Sequence, residues 1–323
     1  MKVIQSLIGI LFIVQSSSSL SLETDNYLVW DKSLFDSSEK INWYVNDQIT
    51  KTLTEVNSFK KPKSCKELTL SIAKKFKTSP PHTHPLEDWL NENLTDEYIF
   101  PNYSFYRSIS IYQDEFRFYL SKVKLAQNIQ VSNIYFGTDK LSHFVSTGRR
   151  YYRYYMKRVK KLGHEEALKS AIRFGLLNEK TILGGWSSGV FSYGDMEANY
   201  QGLNFYLKLC SNNYKKTYIS KNKSGEWVQI RKFKIEEYVN PRWDETFNPS
   251  YRVKNNWKKT EPMIRNLYCQ TKGNENIIER FTYYESIIKE SESSLYIKNL
   301  MKEKSKKAPV PQADKWLHQV CDN

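Results

Sequence analysis

Long apolar runs are scarce in this 323-residue chain. Beyond residue 22 no window approaches the ~18 consecutive apolar residues that a bilayer-spanning helix needs, so no transmembrane segment is expected there. Cysteine is scarce as well: Cys65, Cys210, Cys269 and Cys321 stand far apart, and no CxxC pair exists. That spacing excludes a zinc knuckle. There is no GxSxG nucleophile elbow, no P-loop and no HExxH, which removes the commonest hydrolase and nucleotide-binding readings. No internal repeat is present. Acidic residues fall short of basic ones, 35 against 49, leaving a formal charge of +14.

What is present begins with MKVIQSLIGILFIVQSSSSLSLE. Lys2, the apolar run Val3 to Val14 and the small residues Ser16 to Ser19 and Ser21 read as a secretory signal peptide over residues 1–22. The expected mature protein is soluble and periplasmic or secreted. An even number of cysteines in an exported chain favours two disulfides, with three pairings open; four buried thiols are the alternative. The positive charge suits an anionic envelope component, a lipid headgroup or wall polymer, and equally suits plain solubility. Its densest cluster is Arg149, Arg150, Arg153, Lys157, Arg158, Lys160 and Lys161, interleaved with Tyr151, Tyr152, Tyr154 and Tyr155. No nucleic-acid motif accompanies it, so a solvated helix face is expected and no nucleic-acid partner.

Hydrophobic spacing predicts a mainly α fold, a bundle-like single domain over 23–303 with a small β-hairpin appendage at 214–232. Residues 23–39 read as an irregular lead-in. Ile41, Val45, Ile49, Leu53 and Val56 mark the first helix, and further helices fit 67–76, 110–127 and 275–303. Lys223-Ser224-Gly225 supplies the hairpin turn. Residues 238–257 read as an ordered loop, and 304–323, with Pro309 and Pro311, as a mobile tail.

The chemistry-bearing residues gather between Gly137 and Cys210, on three predicted helices. On the first, about 138–162, Leu141, Val145, Gly148, Tyr152 and Tyr155 share a face, with Asp139 and His143 nearly opposite; spacing alone makes these two an exposed pair at a helix start. On the second, about 165–182, Glu179 falls inside the apolar stripe of Leu168, Ala171, Ile172, Gly175 and Ile182. A carboxylate buried there needs a partner such as His143, Lys140 or a cation, or a raised pKa. The third starts after Ser192, whose spacing to Asp195 is that of a capping box with Asp in place of Glu. That helix is apolar on two sides, so Asn199 within it needs hydrogen-bond partners. Between the second and third helices, LGGWSSGVFS offers Trp186 on a pliable, lid-like turn. A separate surface metal reading uses His82 and His84 with Glu87 and Asp88.

Asp139-Lys140-Leu141-Ser142-His143-Phe144, Glu179, and Phe191-Ser192-Tyr193-Gly194-Asp195 with Asn199 and Gly202 resemble, in order and spacing, the motifs of the VanZ-like superfamily and the related YfiM-type envelope lipoproteins. The resemblance spans about residues 137–210. It implies an envelope location and one constellation made of Asp139, His143, Glu179, Asp195 and Asn199. It supplies no reaction. This chain departs from those relatives in being strongly basic rather than membrane-embedded, and Ser187-Ser188-Gly189 stand where an arginine often precedes the third motif.

These residues leave two functions open. One is an exported envelope protein with a binding or structural role, the polar residues forming a network that fixes three helices. The other is an envelope hydrolase or transferase with catalytic Glu179, His143 and Asp195, aided by Asp139, Lys140, Asn199 and Trp186 as binding residues. In that case a divalent metal on His143, Glu179 and Asp195 is a candidate cofactor.

Overall fold

The computed structural model describes residues 23–59, 63–77, 84–100, 109–112, 125–180, 189–210, 216–303 and 320–321. The signal segment 1–22, Trp186 and its turn, His82 and most of the tail lie outside the described residues. The fold is mainly α with small β elements, as the spacing predicted. Among the described residues no helix is long and apolar enough to cross a membrane.

Helix α1 (Ser38–Asn57) buries Ile41, Val45, Ile49, Leu53 and Val56. Helix α2 (Cys65–Lys75) starts with a full capping box between Ser64 and Glu67, and α3 (Pro85–Asn93) with Pro at its first position, where a missing N–H costs nothing. The lead-in is mostly irregular but tied down at its start. Its strand β1 (Glu23–Thr24) pairs in parallel with β3 (Leu125–Ala126), and Glu23 to Asn26 are all buried. That pairing also corrects the end of the helix expected over 110–127; residues 113–124 lie outside the described set. Strand β2 (Ile99–Phe100) joins the hairpin of β4 (Asn128–Val131) and β5 (Ile134–Gly137). Ser132 and Asn133, both at positive φ, make its tight turn.

Strand β5 runs directly into α4 (Thr138–Ser142). The helix expected to continue to 162 is instead interrupted by a π turn (His143–Thr147) before α5 (Gly148–Met156). A π turn adds a residue to the helical repeat and rotates the downstream helix about its axis, so plain 100° spacing mis-phases the segment. Neighbours also surround it on all sides. Asp139 and His143 are buried, not exposed as the spacing suggested.

Helix α6 (Val159–Asn178) is broken at Gly163, which sits at φ +77°. After the short β6 (Val190–Phe191) comes α7 (Tyr193–Lys208), buried on nearly every face. It crosses the π turn at van der Waals backbone contact. A Cβ on Gly202 would stand 1.9 Å from the Phe144 carbonyl oxygen, and one on Gly148 would stand 2.6 Å from Gly202 Cα. The expected hairpin is β7 (Ile219–Lys221) and β8 (Trp227–Gln229). The loop predicted over 238–257 holds a 3-10 turn (Pro241–Trp243), β9 (Tyr251–Arg252), which pairs with β6, and the start of α8 (Lys254–Met263). The single helix expected over 275–303 is two, α9 (Glu275–Ile287) and α10 (Glu292–Lys302), separated by residues 288–291.

Of the three open pairings, the structure has Cys65–Cys210, which ties the start of α2 to the end of α7, and Cys269–Cys321. In the basic helix Tyr151, Tyr152 and Tyr155 are buried, while Tyr154 lies beneath the Arg158 guanidinium at 3.4 Å from the ring centre. The tyrosines are core and cation supports, and the basic side chains form the outer face.

This packing predicts two outcomes. Gly202→Ala forces α7 off the π turn and lowers unfolding free energy by about 2–3 kcal/mol in chemical denaturation. Replacing Cys65 and Cys210 with serine frees a 145-residue separation in the unfolded chain and costs about 2–4 kcal/mol by the same assay.

Candidate functional site

The centre of the site is Lys140, whose side chain is fully buried. Its Nζ lies 2.8 Å from Asp139 Oδ2, 2.8 Å from Asp195 Oδ1 and 2.7 Å from Glu245 Oε1. The three carboxylates come from α4, α7 and the segment after the Pro241–Trp243 turn. Gly194 makes room for the lysine stem, since a Cβ there would stand 3.0 Å from Lys140 Cε. Gly137 performs the same service for Asp139. A Cβ at Gly137 would stand 1.7 Å from the Thr24 hydroxyl, the group that donates to Asp139 Oδ1.

Around this ammonium the polar groups interlock. His143 Nε2 faces Asp195 Oδ2 at 3.1 Å, and its Nδ1 faces Asn199 Oδ1 at 3.1 Å. Ser192 Oγ accepts from the Asp195 backbone N–H at 3.0 Å and donates to Glu245 Oε1 at 2.7 Å. The Ser192 N–H, which a complete capping box would pair with the Asp195 side chain, donates to Glu179 Oε1 at 3.2 Å instead. Capping therefore accounts for Ser192 but not for the Asp195 carboxylate, which turns to Lys140 and His143. Glu245 is further held by Asn26 Oδ1, which accepts from its N–H at 3.3 Å. Asn26 is in turn bonded through Nδ2 to Asn128 Oδ1 at 2.8 Å. Glu245 Oε2 is buried and has no hydrogen-bond partner among the described residues.

The charges divide unequally. Burial pulls the Lys140 ammonium down, but its three carboxylates outweigh that and hold it well above its ordinary value. Burial raises Asp195, yet His143 and Lys140 beside it bring the net value below the usual range. Burial holds Asp139 up, against the pull of Lys140. Glu179 is raised furthest from ionisation, by burial first and by Asp195 and Glu23 next; Ser192 N–H and Lys140 only partly offset them. A neutral acid beside an ionised one is the asymmetry that acid–base chemistry uses.

Glu179 is thus buried, as its place in the apolar stripe predicted, and it borders the Lys140 cage through Ser192. Asp139, Lys140, His143, Asp195 and Asn199 come together in that cage. For a cation, Asp139, His143 and Asp195 present ligand atoms within 4.8 Å of one another. That donor set is N and O, suited to zinc, manganese or a similar divalent ion. It differs from the expected set by exchanging Glu179 for Asp139, and Lys140 already supplies positive charge to both aspartates.

Sequence reasoning missed Thr24, Glu23 and Glu245. All three come from segments with no helical period, and no local signal marks them. It also misplaced Glu87. Rather than joining a surface metal loop, Glu87 is buried under α4, accepting from Thr138 Oγ1 at 3.2 Å and Ser142 Oγ at 2.8 Å. His84 Nδ1 lies 3.2 Å from the same Ser142 hydroxyl, and the Asp88 carboxylate caps the His84 N–H at 2.7 Å.

Comparison with protein families, curated proteins and solved structures finds no match for this chain. Function is therefore read from the geometry of the site.

Glu87 gives that geometry a pH dependence. Burial, with Asp139 nearby, pushes its carboxyl from an ordinary 4.5 up to about 7. The folded protein then keeps a proton that the unfolded chain has released. The stability tied to that proton is full below pH 4.5 and is lost as pH rises through 7. Asp25, raised to about 6 by burial, acts in the same direction. Wild-type stability should fall from mildly acidic to mildly alkaline pH. Glu87→Gln, a neutral mimic, should flatten the curve and gain roughly 3 kcal/mol at pH 8, on the order of 1.4 kcal/mol per pH unit. Urea titrations across that range check it, and an unchanged slope in the variant refutes the assignment.

Proposed function

We propose that this is an exported cell-envelope protein that works by binding or scaffolding, with the VanZ-like polar core acting as an ionic lock. The observation that carries this reading is the Lys140 ammonium within 2.8 Å of carboxylates from three separate segments. A buried charge satisfied so fully by its own chain is arranged to hold segments together. Two disulfides and a net charge of +14 support an oxidising, envelope-facing setting and an anionic neighbour such as a lipid headgroup or wall polymer.

One observation favours a second reading, an envelope hydrolase or transferase. Glu179, kept neutral by burial, lies beside an ionised Asp195, itself paired with His143. Glu179 would then donate or withdraw a proton, with Asp195 orienting the imidazole. A divalent ion on Asp139, His143 and Asp195 would supply Lewis-acid chemistry.

The two readings separate by mutation. Lys140→Met leaves three buried carboxylates without their cation, and the lock predicts a loss of about 3–5 kcal/mol in unfolding free energy. A Lys140→Met protein that melts like wild type eliminates the lock. Under the lock Glu179→Gln is close to neutral, because the group is already uncharged. The catalytic reading wins if wild type releases products from wall glycan or envelope lipid, detected by mass spectrometry, and a normally melting Glu179→Gln protein does not.

A further inference from the structure

On the outer side of α7, away from Lys140, two cavities of about 210 and 310 Å³ share Arg242, Asn248 and Lys298. The first is walled by the apolar side chains of Ile297 and Met301, by Tyr193 and by Glu197, whose carboxylate accepts from Gln201, Asn240 and Ser291; Glu285 lines the second. Ser293, in the first turn of α10, also lines it; that residue is fully buried and its hydroxyl has no hydrogen-bond partner among the described residues. Arg242 Nε is likewise buried without a partner among them. Unmet donors at such a place are costly unless something fills them, because each forfeits its hydration.

Three of the cleft's donors converge on one carboxylate. Glu290 accepts from Arg242 Nη2 at 2.9 Å, from Ser294 Oγ at 2.8 Å and from the Lys298 ammonium. It belongs to the short joint between α9 and α10, and its side chain is 36% exposed, with Lys298 at 51%. The Lys298–Glu290 pair is open to water and weak, while Arg242, 14% exposed, is the more enclosed partner, so an external anion must displace Glu290 chiefly from Arg242. The positive end of α10 adds to the attraction.

We infer that this cleft binds a small amphipathic anion, a phosphate or carboxylate on an apolar chain, whose acidic group replaces Glu290 between Arg242 and Lys298. The chain lies along Ile297 and Met301, and the Ser293 hydroxyl and Arg242 Nε gain their missing partner. The site is independent of the ionic lock. Its failure would leave the Lys140→Met result untouched, and loss of the lock reading would leave the cleft in place.

The test is calorimetric titration of the full chain with octyl phosphate, octanoate and the uncharged octyl glucoside. The two anions should saturate one site and the glucoside should bind roughly tenfold more weakly or not at all. Arg242→Gln combined with Lys298→Gln, verified as folded by its melting curve, should weaken the anions by roughly tenfold or more. Glu290→Gln removes the internal competitor and should tighten them. Sedimentation with phosphatidylglycerol vesicles identifies the source of the anion. Vesicle association competed by octyl phosphate indicates a bilayer headgroup, and binding of free amphiphile without vesicle association indicates a free ligand. The inference is overturned if neither wild type nor Glu290→Gln shows saturable anion binding. It is also overturned if the double variant binds the anions as wild type does.

Discussion

The rest of this molecule is arranged around one buried ammonium. Removing Lys140 from water is expensive, and only close carboxylates at good geometry repay it. Those carboxylates come from α4, α7 and the segment after Trp243, so all three segments must be in register at once. Thr24 adds the N-terminal strand through Asp139, and Ser192 fastens Glu245, the start of α7 and Glu179 together. Several glycines are dictated by the same centre. Gly137 and Gly194 clear space for Asp139 and for the lysine stem, and Gly148 against Gly202 lets the His143 turn and α7 come close enough for His143 to reach Asn199.

The same crowding sorts the acids. Lys140 and His143 beside Asp195 hold its carboxyl below the usual range, against burial. Glu179 arrives where this positive charge is already shared, with Asp195 and Glu23 as its neighbours, and so it stays protonated. Glu87 meets a milder form of the same problem on the other side of α4, where two hydroxyl donors face it. One lysine among several buried carboxyls thus leaves them unequal: Asp195, with His143 as a second neighbour, is lowered, while Asp139, at the same distance from Lys140, is raised by burial.

How much of this was legible in the sequence depended on whether a residue's environment is local. Ile41 to Val56 are buried because α1 has one apolar face, and period alone finds such a face. Glu179 was legible for the same reason, as a charge standing in an apolar stripe. Asp139 and His143 were not. Periodicity assumes an unbroken helix with a wet side, whereas here a π turn shifts the phase and neighbours cover every side. Thr24 and Glu245 were out of reach for a different cause: they meet Asp139 and Lys140 across more than a hundred residues of chain, and nothing near them is periodic. Asp195 was half legible. The Ser192 cap was visible, but the cap's spacing hid the fact that the carboxylate points elsewhere.

The lock and the outer cleft are built from the same two pieces of chain. Helix α7 carries Asp195 and Asn199 inward, and Tyr193 and Glu197 outward. The turn beginning at Pro241 sends Glu245 to Lys140 and Arg242 to the cleft. Glu197 in turn holds the α10 cap, accepting from Ser291, and Asn248 bonds back to the Arg242 carbonyl at 2.9 Å. Arg242 and Glu245 thus leave the same turn for different partners, Arg242 for Glu290 and Glu245 for Lys140. Side chains three residues apart therefore serve an enclosed cation and a partly exposed carboxylate.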